Sequence, residues 1–198
     1  METKRCIFVG VGGQGNLLAS NLLGQAALSM GIPVVVSEIH GMAQRGGVVE
    51  SAVLIGEVTS PIVSAGEADV LVSFEPLETM RIVGKCHKNS LVISNSQPQP
   101  PFTVAVGQGK YPEVDEFLKK LPAKVGKVIA VRGNDLAEEA GNALSLNMVM
   151  LGALFGTNSL PVTEEKMKET IAASTKKAFL ESNLKAFDLG KKAAAAQM

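Results

Sequence analysis

The sequence is poor in the residues that build metal centres, disulfide frameworks and base-stacking surfaces. Its 198 residues include two cysteines, two histidines, one tyrosine and no tryptophan. Cys6 and Cys86 lie far apart and form no Cys-x-x-Cys pattern. The chain therefore has too few thiolates for a structural zinc site or a four-cysteine iron–sulfur cluster. We interpret both cysteines as small buried apolar residues and predict no metal site.

Charge and hydropathy argue against two further classes of partner. Lysine and arginine number 19, as do aspartate and glutamate, so the formal net charge is zero. Without a dense basic block, and with few aromatic residues, the chain is not expected to bind nucleic acid. The longest apolar stretch, residues 143–155, contains Ser145 and Asn147 and is shorter than the ~20 residues of a membrane span. The first apolar run is too short for the core of a signal peptide. We expect a cytoplasmic protein without membrane contact.

Apolar runs that are typical of buried strands alternate with segments of helical periodicity. The strand-like runs are residues 6–9, 33–38, 48–55, 69–74, 91–94 and 127–131. The helical segments are residues 16–30, 76–84, 113–121, 135–155 and 163–185, and the alanines at 193–196 are expected to fray. This order predicts a three-layer, doubly wound α/β fold with a mostly parallel, Rossmann-like sheet and a C-terminal helical segment. We predict one domain over residues 1–198, with a core at about 4–156 and a helical tail at about 160–198.

A glycine-rich loop joins the first strand to the first helix. It contains Gly10, Gly12, Gly13, Gln14 and Gly15, in a Gly-x-Gly-x-x-Gly pattern. Such glycines allow a tight turn and the close approach of a phosphate to a helix N-terminus. Glu38, at the end of the second strand, stands where a ribose-binding acid is expected. Two interpretations remain open: the loop binds a nucleotide or pyrophosphate, or it serves packing and subunit contact.

A second polar loop follows the second strand and should emerge near the first loop, at the edge where ligands bind in open α/β sheets. Its candidate residues are Glu38, His40, Gln44, Arg45, Gly46 and Gly47. Arg45 offers a fixed guanidinium fork, and the two glycines allow close approach of a partner. His40 has no second histidine nearby, which argues against a metal ligand. Arg45 could instead pair with Glu38 or cap backbone carbonyls.

Four segments together resemble the gamma-type domain of 2-oxoacid:ferredoxin oxidoreductases. They are Gly-Val-Gly-Gly-Gln-Gly at 10–15, Glu-x-His-Gly-Met-Ala-Gln-Arg-Gly-Gly at 38–47, Ala-Asp-Val-Leu at 68–71 and Glu-Pro-Leu-Glu at 75–78. The amino-acid sequence of the second segment is most similar to that of the small subunits of the indolepyruvate type. The resemblance covers residues 6–155, and the length suits the whole chain.

The resemblance implies a subunit of an enzyme that converts a 2-oxoacid and coenzyme A to an acyl-CoA and carbon dioxide, and passes electrons to ferredoxin. It implies arylpyruvate substrates, and it places thiamine diphosphate and [4Fe–4S] clusters in a large alpha subunit. No catalytic residue is therefore assigned here, and no cofactor is expected in this chain alone. The hypothesis for this chain is that both loops dock beside the thiamine site. There Gln14, His40, Gln44 and Arg45 would close the pocket or meet an anionic group.

The sequence also allows two other interpretations. The first is a free-standing nucleotide-binding dehydrogenase that uses the glycine loop at 10–15 and Glu38. The second is a self-associating structural module whose glycine loops only pack, with a homodimer as the expected form of the isolated chain. Glu75 and Glu78, around Pro76, are predicted to be residues of a helix start rather than an acid/base pair, because the helix dipole favours carboxylates there.

Overall fold

The computed structural model describes residues 2–40, 47–58, 60–101, 104 and 106–198. The strands are β1 (Lys4–Val11), β2 (Val34–His40), β3 (Val48–Ile55), β4 (Ala68–Ser73), β5 (Cys86–Asn95) and β6 (Lys127–Val131). The helices are α1 (Asn16–Ser29), α2 (Pro76–Ile82), α3 (Val114–Lys120), α4 (Gly133–Glu139), α5 (Leu146–Phe155), α6 (Glu164–Ser174) and α7 (Lys177–Ala195). Short 3-10 turns lie at Val83–Lys85, Leu121–Ala123 and Ala143–Ser145.

The strands form one six-stranded sheet in the order β2-β3-β1-β4-β5-β6. Strands β1, β4, β5 and β6 pair in parallel, whereas β3 is antiparallel to both β1 and β2. A parallel pairing needs a crossover of about a dozen residues, and the connection from His40 to Val48 is shorter than that. The doubly wound, mostly parallel α/β fold expected from the sequence is confirmed, and β3 runs in the reverse direction.

Alternating side chains of the strands build an apolar core on each face of the sheet. Cys6 and Phe8 of β1 point to the face that α1, α4, α5, α6 and α7 cover. Ile7 and Val9 point to the other face, where they join residues of α3 and of the turn that follows it. All four side chains are fully buried, as expected of a central strand covered on both faces.

The backbones of helices α5 and α7 are in contact where the two helices cross. Glycine residues make this close approach possible. A Cβ atom on Gly152 would lie 1.9 Å from the carbonyl oxygen of Phe187, and one on Gly190 would lie 1.9 Å from that of Val149. A Cβ on Gly156 would lie 2.4 Å from the carbonyl oxygen of Lys191. The C-terminal helix is thus fixed against the long apolar helix over two turns.

Three details of the helical prediction are wrong. The helix expected over 135–155 is divided into α4 and α5, because Gly141 takes a φ of +93° and Asn142 caps the following 3-10 turn. The helix expected over 163–185 is interrupted at Thr175 and Lys176, which have extended backbones. The alanines expected to fray belong to α7 up to Ala195, and Ala194 is fully buried.

Helices α6 and α7 contribute Met167, Ile171 and Phe187 to the same apolar cluster as the sheet. We therefore propose that residues 1–198 form one domain, in which the helical tail packs against the core. Along the part of the chain that the structure describes, no helix has both the length and the apolarity for crossing a membrane.

Candidate functional site

The carboxyl ends of β1 and β4 lie at the point where the strand order of the sheet reverses. From β1 the chain passes through α1 to β2 on one side of the sheet, whereas β4 pairs with β1 on the other side. In open α/β sheets the crevice at such a point is the usual ligand site. The candidate site is therefore the edge formed by the glycine loop at 10–15, the β4–α2 connection and the segments that follow β5 and β6.

The side chain of Gln14 forms hydrogen bonds across this edge of the sheet. Its Oε1 atom accepts a hydrogen bond from the N–H of Val11 at 2.7 Å, and its Nε2 atom donates to the carbonyl oxygen of Phe74 at 3.2 Å. Nε2 also donates to Oε1 of Gln99 at 3.0 Å. Gln14 thus links the loop after β1 to the end of β4 and to the segment after β5.

Glycine is required at different positions of this loop for different structural reasons. A Cβ on Gly10 would lie 2.8 Å from Oε1 of Gln14 and 3.0 Å from Cβ of Phe74, so this glycine makes room for the Gln14 side chain. Gly15, at a φ of +78°, precedes α1 and packs against the Asn147 side chain. Gly13, at a φ of +106°, stands at the exposed tip, where an added Cβ would meet no atom within 4 Å.

Some backbone N–H groups of this loop already donate hydrogen bonds to other groups of the chain. Val11 donates to Gln14, Gly12 donates to the carbonyl oxygen of Gly47 at 2.9 Å, and the N–H of Gln14 donates to Val11 at 3.1 Å. The N–H groups of Gly13 and Gly15 have no acceptor among the described residues. These two N–H groups lie at the part of the loop that can contact a partner or an anion.

The second predicted loop is described only at its ends. Gln44, Arg45 and Gly46 lie outside the described residues, as does the side chain of His40. The contact of Gly47 with Gly12 brings the end of this loop to the glycine loop. The predicted roles of these residues stay predictions.

Glu38 is not placed as a ribose-binding acid would be. It lies on β2, and β3 is inserted between β2 and β1. Two strand spacings of about 4.8 Å therefore separate it from β1, instead of one. Its Oε1 atom accepts a hydrogen bond from Nδ2 of Asn21 in α1 at 3.1 Å.

The buried side-chain amide of Asn95, the last residue of β5, forms hydrogen bonds to the neighbouring segments of this edge. Asn95 donates from Nδ2 to the carbonyl oxygen of Phe74 at 3.0 Å and to Oδ1 of Asn134 at 2.9 Å, and its Oδ1 accepts from the N–H of Gly133 at 3.0 Å. Gln97 accepts from the N–H groups of Asn134 and Asp135, which begin α4. Asn95 and Gln97 were not assigned from the sequence, although the polar run at the end of this buried strand was the available signal.

Glu75 is a buried helix cap, as predicted. It is 1% exposed, and its Oε2 atom accepts from the N–H groups of Leu77 at 2.7 Å and Glu78 at 3.2 Å. Its Oε1 atom accepts from the N–H of Gln99 at 3.1 Å and from the hydroxyl of Tyr111. This carboxylate thus receives four hydrogen bonds, two from α2 and two from the chain that follows β5.

Glu78, in the first turn of α2, is 2% exposed, and its Oε1 atom pairs with Arg81 at 2.5 Å. Its Oε2 atom has no hydrogen-bond partner among the described residues. Burial raises the pKa of this carboxyl group, and the charge of Arg81 lowers it only in part.

Neither thiol is suited to bind a metal or a cluster. Burial raises the pKa of Cys6 to about 12 and that of Cys86 to about 11, so both remain protonated at neutral pH. Within the described ranges, no group of three or more histidine, cysteine, aspartate or glutamate residues is placed to hold a metal ion. The two cysteines do not fit a [4Fe–4S] cluster, because such a cluster takes four thiolates.

Comparison with known proteins defines the family. The model of the pyruvate ferredoxin/flavodoxin oxidoreductase family matches residues 5–193. The chain is 44% identical over 196 residues to the indolepyruvate oxidoreductase subunit IorB of Thermococcus kodakarensis, covering 98% of this chain and 97% of the relative. It is 43% identical over 184 residues to the IorB subunit of Archaeoglobus fulgidus, covering 93% and 92%.

The fold agrees with a solved structure of the same kind. The pyruvate oxidoreductase subunit PORC of Thermotoga maritima superposes with a TM-score of 0.76 at 22% identity, and 97% of each chain is covered. The chain therefore belongs to the pyruvate ferredoxin/flavodoxin oxidoreductase family. Within it, the chain resembles subunits of the indolepyruvate enzymes over nearly its whole length, which confirms the resemblance inferred from the sequence. The reading as a free-standing dehydrogenase is not supported.

Proposed function

We propose that this chain is the small subunit of a 2-oxoacid:ferredoxin oxidoreductase that acts on indolepyruvate or a related arylpyruvate. The observation that carries the proposal is identity of 44% along the whole length to an indolepyruvate oxidoreductase subunit. The reaction would join the acyl group of the oxoacid to coenzyme A, release carbon dioxide and transfer two electrons to ferredoxin. Thiamine diphosphate and the iron–sulfur clusters would reside in the large subunit. The proposed setting is the cytoplasm.

The geometry of the glycine loop supports a role at the surface of the partner. Gln14 uses both of its side-chain polar atoms in hydrogen bonds within the chain, while the N–H groups of Gly13 and Gly15 have no acceptor among the described residues. Because the N–H of Gly12 donates to the carbonyl oxygen of Gly47, the second loop ends beside this surface. We infer that both loops contact the large subunit close to its thiamine diphosphate, with Arg45 directed to an anionic group of the oxoacid or of coenzyme A.

The substrate class can be tested on the complex of this chain with its large subunit. Reduction of ferredoxin should be followed with indolepyruvate, phenylpyruvate, pyruvate and 2-oxoglutarate at equal concentrations. A kcat/KM at least tenfold higher for the two arylpyruvates would agree with the proposal. Preference for pyruvate or 2-oxoglutarate would contradict the assigned substrate class.

The role of Arg45 needs a variant and a control. Arg45→Ala should leave assembly intact and raise KM for the oxoacid or for coenzyme A about tenfold or more, because a charge-assisted hydrogen bond is lost. Arg5→Ala, in β1 near its amino end, should leave both KM values unchanged. Unchanged KM values in the Arg45→Ala complex would remove the ligand role.

A further inference from the structure

Hydrogen bonds connect Tyr111 to Gln14 of the glycine loop through two intermediate residues, Glu75 and Gln99. The hydroxyl of Tyr111 donates to Oε1 of Glu75, and the same oxygen accepts the N–H of Gln99. The side chain of Gln99 accepts from Nε2 of Gln14, whose own Oε1 holds the N–H of Val11. The path therefore starts before α3 and ends at the last residue of β1.

Glu75 is the fixed point of this path. Its backbone lies between β4 and α2, and its Oε2 atom is occupied by two N–H groups of α2. Since the carboxylate is almost completely buried, its Oε1 atom must be satisfied by donors from within the chain. Gln99 and Tyr111 supply these donors, so the position of the segment after β5 depends on Glu75.

Tyr111 is suited to remain a donor at all physiological pH values. Burial and the hydrogen bond to Glu75 both raise the pKa of its phenol above the ordinary value. The hydroxyl therefore keeps its proton, and the hydrogen bond to the carboxylate persists. A hydrogen bond to a charged group contributes more than one between neutral groups.

We propose that Tyr111 and Glu75 are positioning residues for the glycine loop. They hold Gln99 in the place where it accepts the hydrogen bond of Gln14, and Gln14 in turn fixes the turn after β1. Neither residue needs to touch a substrate or a cofactor. The inference about loop geometry holds for the chain alone; its effect on turnover rests on the proposed function.

The first test measures amide hydrogen exchange by NMR on the full chain. In Tyr111→Phe, exchange at Gln99 and at Val11 should become about tenfold faster, as expected for the loss of one charge-assisted hydrogen bond. Exchange of Ile93 and Ile129, in the sheet core, should not change. Ser182→Ala, which removes a hydroxyl hydrogen bond on α7, should leave Val11 unaffected.

Faster exchange confined to Gln99, with Val11 unchanged, would overturn the proposal, because the effect would then end before the glycine loop. If Tyr111→Phe does not fold, Gln99→Ala interrupts the same path closer to Gln14. It should increase exchange at Val11 by a similar factor, and unchanged exchange in this variant would likewise overturn the proposal. This experiment needs no large subunit, so its outcome is independent of the proposed reaction.

The second test uses the reconstituted complex and a double-mutant cycle. If Tyr111 acts through Gln14, the losses in kcat/KM of Tyr111→Phe and Gln14→Ala should overlap, and the double variant should be no worse than the more impaired single variant. Multiplication of the two losses would contradict a common path. Absence of activity in the wild-type complex would refute the proposed function and leave the exchange result valid.

Discussion

Gln14 donates a hydrogen bond from Nε2 to the carbonyl oxygen of Phe74, across the gap between β1 and β4. The same carbonyl accepts a second hydrogen bond from Asn95, so the ends of three neighbouring strands are joined at one oxygen atom. In a nucleotide-binding α/β fold this gap would admit the ligand. Here two side chains of the protein, those of Gln14 and Asn95, form hydrogen bonds to the carbonyl oxygen of Phe74 at this gap.

Removal of the Gln14 side chain should weaken this edge. Gln14→Ala loses the bonds to Val11 and Phe74 and should lower the free energy of unfolding by about 1–2 kcal/mol. Gln25→Ala, at an exposed position of α1, should change it by less than about 0.5 kcal/mol. Urea unfolding followed by circular dichroism measures both values, and equal values would show that the Gln14 bonds add no stability.

The crossing of α5 and α7 should tolerate no added methyl group. Gly190→Ala places a Cβ 1.9 Å from the carbonyl oxygen of Val149, and it should cost about 3 kcal/mol or more through overpacking. Gly84→Ala is the matched control, because an added Cβ there meets nothing within 4 Å. Thermal unfolding should show a large decrease in Tm for the first variant only. A wild-type Tm for Gly190→Ala would contradict the observed packing.

The ion pair between Lys85 and Glu50 should be important for stability. Their charged atoms lie 2.5 Å apart, and the Glu50 side chain is 11% exposed. Lys85→Met leaves this carboxylate without its partner and should destabilise the chain by roughly 2–3 kcal/mol. Lys120→Met breaks the exposed pair with Glu116 and should cost less than about 0.5 kcal/mol. Chemical denaturation distinguishes the two, and similar costs would contradict the assigned burial.

Tyr111 can be titrated without interference, since the chain has no other tyrosine and no tryptophan. Its raised pKa has burial as the main cause and the Glu75 carboxylate as the next. The absorbance change at 295 nm should therefore appear above the ordinary range of tyrosine, and Glu75→Gln should move it to lower pH. Because the folded-state pKa is raised, this group stabilises the fold below its unfolded pKa, and the contribution disappears as the pH rises towards the folded value. An unshifted titration in the wild-type chain would contradict the buried hydrogen bond.

Much of the architecture could be read from apolar periodicity, because buried strands and helices differ in period and length. The reversed direction of β3 was not predicted, although the short distance from His40 to Val48 already favoured an antiparallel pair. The break before α5 also had a signal, since Gly141 and Asn142 are typical of a helix end. The long apolar run that follows outweighed it.

The site was less accessible from the sequence. A Gly-x-Gly-x-x-Gly pattern suits both a phosphate loop and a tightly packed turn, and only the contacts of Gly10 with Gln14 and Phe74 reveal the packing role. The bond from Tyr111 to Glu75 joins residues 36 positions apart. Such a long-range contact depends on the tertiary fold and leaves no periodic signal in the sequence.

Reconstitution of the complex tests whether this chain is a subunit of the proposed enzyme. The large subunit should be purified with and without this chain, and coenzyme-A-dependent reduction of ferredoxin by indolepyruvate should be measured. We predict that turnover requires both chains and that they form a stable complex. Full activity of the large subunit alone, or failure of the two chains to associate, would contradict it.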